Sequence, residues 1–143
     1  MSTAFDKLQS TLRAHQLSIT TPRRIVFEVL LGKEPQSMHT MLTACDQQVD
    51  RATLYRTVTL FEKLGIIQRL QIGWKYKLEL SNSFQSHHHH LSCRKCGTII
   101  PLPEDEQLEN RLNQLANAMG FQSEDHQIEI RGLCKSCQKL VSS

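Results

Sequence analysis

Two Cys-x-x-Cys pairs, Cys93–Cys96 and Cys134–Cys137, stand in the last third of a 143-residue chain, and four consecutive histidines, His87 to His90, lead into the first pair. One such pair presents two thiolates from a single tight turn, and two pairs close a tetrahedral four-sulfur shell around one Zn²⁺. The other chemistry open to the motif is redox exchange, but a redox motif ordinarily occurs as a single pair near a βαβ unit, so two pairs favour zinc. The histidines supply imidazole nitrogens that a four-thiolate shell does not need. They point to a second metal with nitrogen and oxygen ligands. An affinity tag would also give a histidine run, but this one is internal and continues into the cysteine turn.

In an extended segment, side chains alternate between faces. His87 and His89 then project one way and His88 and His90 the other, two bidentate pairs able to serve different ions. The pairs of cysteines are 37 residues apart, well beyond the roughly 15–20 of a simple zinc ribbon. A strand–helix–strand pattern takes up the gap. Thr98–Leu102 reads as a strand. Pro103 with Glu104, Asp105 and Glu106 opens a helix whose inner face is Leu108, Leu112, Leu115 and Met119, closed by Gly120 and carrying Glu109. His126, Ile128 and Ile130 then alternate toward Cys134. His126 in phase with isoleucines reads either as a satisfied core residue or as a ligand, and both readings stand. Cys45 lies apart and is expected to be buried on its own helix.

The first half reads as helices followed by a hairpin. Phe5, Leu8 and Leu12 recur at helical spacing. Thr21 caps a second helix with Pro22 at its first position, followed by Ile25, Val26, Val29 and Leu30. Ser37 caps a short helix with Met38, Met41, Leu42 and Cys45 on its apolar face. Asp50 caps a fourth, with Leu54, Val58, Phe61 and Leu64 inward and Gly65 at its end. Alternation then begins: Ile66, Leu70 and Ile72, then Trp74, Tyr76, Leu78 and Leu80 across Gly73. Helices with a two-stranded hairpin behind them describe a winged helix-turn-helix. On the fourth helix Arg51, Tyr55 and Thr59 form a polar stripe with Arg56 at its flank near the N-terminus. Such positions read base edges in helix-turn-helix proteins. Arg23 and Arg24 are placed to hold phosphates. A solvated face is the bland reading of the same stripe; the hairpin favours DNA.

Composition agrees with a two-part chain. At 39% hydrophobic it holds one ordinary domain or two small ones. Residues 1–83 carry 11 Lys/Arg against 7 Asp/Glu, and residues 84–143 carry 6 against 7. The first part suits a polyanion and the second holds most of the metal-ligating residue types. The expected fold is α+β, a winged-helix domain over 1–83, a hinge about 80–86 and a zinc-stapled α/β domain over 84–143. Residues 1–8 show no apolar leader core, and no run approaches the roughly 20 apolar residues of a membrane span. A cytoplasmic chain with reduced thiols is expected.

These residues resemble the ferric uptake regulator family of bacterial metalloregulators over nearly the whole chain. Thr21-Pro22-Arg23 is similar to the family's second-helix start, Ala52-Thr53-Leu54-Tyr55-Arg56 to its recognition-helix motif, and His87–His90 with Leu91-Ser92-Cys93-Arg94-Lys95-Cys96-Gly97 to its signature. The resemblance implies a homodimer formed by the second domain that binds operator double-stranded DNA and represses metal-uptake genes when corepressor metal is bound. It implies structural zinc on Cys93, Cys96, Cys134 and Cys137. It implies a regulatory site of Glu79, His88 and His90 that couples metal to domain orientation. It implies a further site of His87, His89, Glu109 and His126, where His89 takes a place often held by aspartate. Two departures bear on the regulatory site. Pro35-Gln36 stands where the family often has a histidine, leaving His39 as the nearest candidate, and Pro101 stands where it often has a carboxylate.

Imidazole and carboxylate donors suit Fe²⁺ or Zn²⁺, with Mn²⁺ and Ni²⁺ also compatible. A peroxide-sensing regulator of the same fold is the alternative within the class. Outside it stand a zinc hydrolase using Glu109 as base, which lacks an HExxH motif, and a zinc-stapled interaction module.

Overall fold

The computed structural model describes residues 3–141, with side chains through Lys139. The chain divides into two compact units, one ending at Ser86 and one starting at His87.

In the first unit, α1 (Ala4–Ala14) is opened by a capping box between Thr3 and Asp6. Helix α2 (Thr21–Leu30) takes Thr20 as its cap, one residue earlier than expected, and Thr20 Oγ1 accepts from Arg23 N. Either threonine leaves Pro22 in the first turn, where its missing N–H has no intrahelical partner to lose; residue type alone does not choose between them. Ser37 caps α3 (Met38–Ala44) and Asp50 caps α4 (Arg51–Lys63). Gly65 turns the chain out of α4 at φ 73°.

Strands β1 (Ile67–Ile72) and β2 (Lys75–Leu80) pair antiparallel from Ile67 opposite Leu80 to Ile72 opposite Lys75. That register makes Gly73-Trp74 the turn. Trp74 is therefore 87% exposed, not part of the inward series with Tyr76, Leu78 and Leu80. Gln36 and Leu78 exchange backbone hydrogen bonds, which ties the segment before α3 to the wing. The core runs through Leu8, Leu12, Phe27, Leu54, Phe61 and Leu78. Cys45 is buried in it.

The second unit centres on β3 (His88–Cys93). It pairs antiparallel with β4 (Ile99–Pro103) and parallel with β5 (Glu129–Gly132). A parallel pair needs a crossover, and α5 (Glu106–Ala118), capped by Asp105, lies in it. Helix α6 (Lys135–Val141) follows. Two expectations change. The alternation from His126 becomes strand only at Glu129. And the apolar stripe of α5 is not inward within this chain: Leu108, Leu115 and Met119 are exposed, Leu112 is half-buried, and Glu109 is the buried residue of the helix. The carboxylate, not the leucines, anchors α5.

Candidate metal centres and nucleic-acid interface

The four cysteines converge. Cys93 ends β3, and Gly97, at φ 75°, folds the chain back so that Gly97 N donates to Cys93 O and Cys93 N to Thr98 O. Cys134 and Cys137 flank and enter α6. The four Sγ atoms lie within 4.8 Å of one another, and Cys96 Sγ is 3.7 Å from Cys134 Sγ. Zn–S bonds of about 2.3 Å in a tetrahedron place sulfurs roughly 3.8 Å apart, so the donor set fits zinc. Backbone N–H groups of Cys134 and Cys96 draw the Cys93 thiol down to about 6. The neighbouring sulfur of Cys134 and burial push Cys137 up to about 12. Thiols so close do not all ionise without a cation between them. Thr98, which sequence reasoning passed over, sits 3.0 Å from Cys96 Sγ and helps lower that thiol. Its place two residues after the cysteine is the signal.

His87 and His89 meet His126 and Glu109 in a second cluster. His89 Nε2 and His126 Nε2 each lie 2.5 Å from a Glu109 oxygen, and His87 Nε2 lies 3.4 Å from Glu109 Oε2 and 3.3 Å from His126 Nε2. Burial works against ionisation of Glu109, but the hydrogen bond with His89 and the charges of His126, His87 and His89 hold its carboxyl below the usual range. Three Nε2 atoms aimed at one carboxylate are donors for a divalent cation. His126 is a member of this cluster, not an apolar core residue.

His88 and His90 occupy the opposite face, with ring centroids 4.7 Å apart. Glu79, in the first unit, is buried and accepts from Gln68 Nε2 at 2.6 Å. His39 is exposed on α3 and joins no cluster of convergent ligand atoms among the described residues. Gln36 offers its side chain to the Val29 carbonyl, a structural use.

The α4 stripe is open to solvent: Arg51, Tyr55, Arg56 and Thr59 are all exposed. The Arg51 guanidinium lies 5.6 Å from the Tyr55 ring centroid, and Arg56 Nη2 donates to Thr53 Oγ1 at 3.2 Å. Arg24 is exposed, whereas Arg23 is half-buried and its guanidinium donates to the Ser18 carbonyl.

The sequence model of the ferric uptake regulator family matches residues 14–131. The chain belongs to that family. The ferric uptake regulation protein of Bordetella parapertussis is 32% identical over 137 residues, 92% of this chain and 96% of its own length. The Vibrio cholerae ferric uptake regulator superposes with a TM-score of 0.71 at 30% identity, over 88% of this chain and 98% of its own. That of Helicobacter pylori, described as having three functional metal binding sites, gives 0.77 at 24% identity over 94% and 91%, a likeness of fold. A ferric uptake regulator family chain is a metal-responsive transcriptional regulator and not an enzyme. The clusters of thiols and of histidines with glutamate are groups able to hold metal ions. Among the described residues, no helix is long and apolar enough to cross a membrane.

Proposed function

We propose that this regulator is a cytoplasmic homodimer that binds operator double-stranded DNA and represses metal-uptake genes when Fe²⁺ or Zn²⁺ fills its regulatory site. The observation that carries the reading is the division of the histidine run. His87 and His89 are engaged with Glu109 and His126, and His88 and His90 stand together on the other face of the strand, ring against ring. Zinc on Cys93, Cys96, Cys134 and Cys137 is structural. The regulatory ion takes Glu79 from before the hinge at 80–86 and His88 and His90 from after it, with His39 the nearest further donor. An ion bound more tightly in the DNA-competent arrangement shifts the population toward it. A hundredfold preference corresponds to about 2.7 kcal/mol.

Dimerisation is supported by the apolar side chains left in water: Leu108, Leu115, Met119 and Phe121 with Ile100 and Ile130. A patch of that kind marks an interface. DNA reading is assigned to Arg51, Tyr55, Arg56 and Thr59, with Arg23 and Arg24 toward phosphates.

The test is operator affinity against free metal, measured anaerobically on protein that keeps its structural zinc. His88→Ala/His90→Ala is expected to abolish metal-dependent DNA binding while dimer and zinc remain. His87→Ala/His89→Ala is expected to lower metal stoichiometry and stability of the second unit. A wild-type metal response in both would sink the two-face reading.

A further inference from the structure

We propose that Trp74, at the tip of the wing, is a second DNA-contacting residue: its indole packs against the sugars that line the minor groove beside the major groove held by α4, with Lys75 on the flanking phosphate. The inference rests on the reading of α4 as the helix that reads DNA, and goes beyond it in giving the wing a part in binding.

Among the described residues of the first unit, the exposed large apolar side chains are Tyr55 on α4 and Trp74 on the wing. Each has a cation at its ring. The Arg51 guanidinium stands 5.6 Å from the Tyr55 ring centroid, and Lys75 Nζ stands 5.4 Å from that of Trp74. A ring with a cation beside it suits a nucleic acid, the ring against sugars or bases and the cation against phosphate. Residues 71–77 also carry Lys77 and contain no Asp or Glu, so the tip suits a polyanion. Arg69, lower on the wing, is held by Glu62 and lies over the Tyr76 ring.

The fold presents the ring on a short, braced loop. Gly73, at φ 59°, takes the first place of the two-residue turn, where glycine meets no steric cost, and Trp74 takes the second. Gln71 Nε2 donates to the Gly73 carbonyl at 3.1 Å. Burial falls along the wing: Ile67, Leu78 and Leu80 are sealed in the core at its base, and Gly73, Trp74 and Lys75 are exposed. The six residues of β1, at about 3.3 Å per step, carry the tip roughly 17 Å beyond that base. Ile66 N donates to Phe61 O, which ties the base of the wing to the end of α4. A helix about 10–12 Å across fills a major groove about 12 Å wide. The tip therefore falls outside that groove, across one backbone. There the minor groove presents sugars and the A N3 and T O2 acceptors that an indole N–H can meet.

The chain has one tryptophan, so its fluorescence reports this position alone. The experiment uses the metal-loaded full chain and a duplex selected with it from a random-sequence pool. On binding, Trp74 emission is expected to shift to the blue and to be shielded from acrylamide. Hydroxyl-radical cleavage, which attacks sugars from the minor groove, is expected to show a protected stretch that Trp74→Ala opens while the rest of the footprint stays. The same variant is expected to bind about tenfold more weakly, and Trp74→Phe to recover part of the loss, with melting and zinc content at wild type. Tyr55→Phe and Arg56→Ala test the reading beneath: if neither weakens binding, or no duplex is selected, that reading fails and the inference falls with it. If they weaken binding while Trp74→Ala leaves both affinity and footprint unchanged, the wing is not a contact and this proposal alone is overturned.

Discussion

The two units bury different materials. In the first, Phe27, Phe61, Leu8, Leu12, Leu54 and Leu78 are sealed from water within one apolar cluster. In the second, the buried aliphatic side chain among the described residues is Ile99, and the other buried positions are Cys93, Cys137, His89, His90, Ser92 and Glu109. A unit of about 60 residues buries too small a share of its surface to fold easily on apolar contacts alone. Here thiols, imidazoles and a carboxylate occupy the places where a larger domain would put leucines. Buried polar and charged groups cost free energy unless they are paired or coordinated. A bound metal ion would offset that cost in the second unit, whereas the apolar core of the first carries no such penalty.

The sharpest way to break this comparison is to remove a sulfur. Cys93→Ser or Cys137→Ser is expected to unfold the second unit, since structural zinc contributes about 10–16 kcal/mol of apparent binding energy in small zinc domains. Amide hydrogen exchange separates the units: protection should vanish across β3–β5 and α5, and persist in α1–α4. Wild-type protection in both units, with zinc lost, would show that the second unit has a core of its own.

The converse lesion lies in α4. Phe61 is fully buried, and Phe61→Ala is expected to cost about 3–5 kcal/mol. Its effect should fall on the first unit alone, lowering that unit's thermal transition while zinc content per chain stays at the wild-type value. A loss of zinc in this variant would mean that the two stabilities are not separable.

The contrast also explains what the sequence disclosed. The first unit was legible because its core obeys the helical and strand periods: caps at Ser37 and Asp50 and the inward positions Leu54, Val58 and Phe61 follow from spacing. The exception was Trp74, where alternation ran on through a turn that register, not pattern, decides. In the second unit, cysteine and histidine types disclosed the donors, but apolar pattern misled. Leucines at helical spacing on α5 looked like an inner face because a periodic stripe does not say which surface covers it; in the single chain Glu109 is what turns inward. The ladder that sets Glu129 beside His90 joins strands far apart in the sequence. Parallel register of that kind is set by the crossover and is not written locally.

The smallest expected effects belong to the reading stripe, and they sharpen the division from the other side. Tyr55 and Arg56 are exposed on α4, so neither substitution removes core volume, and the melting of both units should stay at wild type. Tyr55→Phe deletes a hydroxyl and keeps the ring beside Arg51. If that hydroxyl contacts a base, the loss should be about 1–3 kcal/mol and should change preference between operator sequences. Arg56→Ala deletes a cation. If it holds a phosphate, binding should weaken alike on all sequences, and the slope of affinity against salt should flatten by about one unit. Metal stoichiometry and zinc content should be untouched in both, because neither residue belongs to a ligand cluster among the described residues. Operator titrations over a range of salt, with metal content measured on the same samples, check all of this. Unchanged binding in both variants would move the reader off α4, and altered metal content would couple the stripe to metal binding.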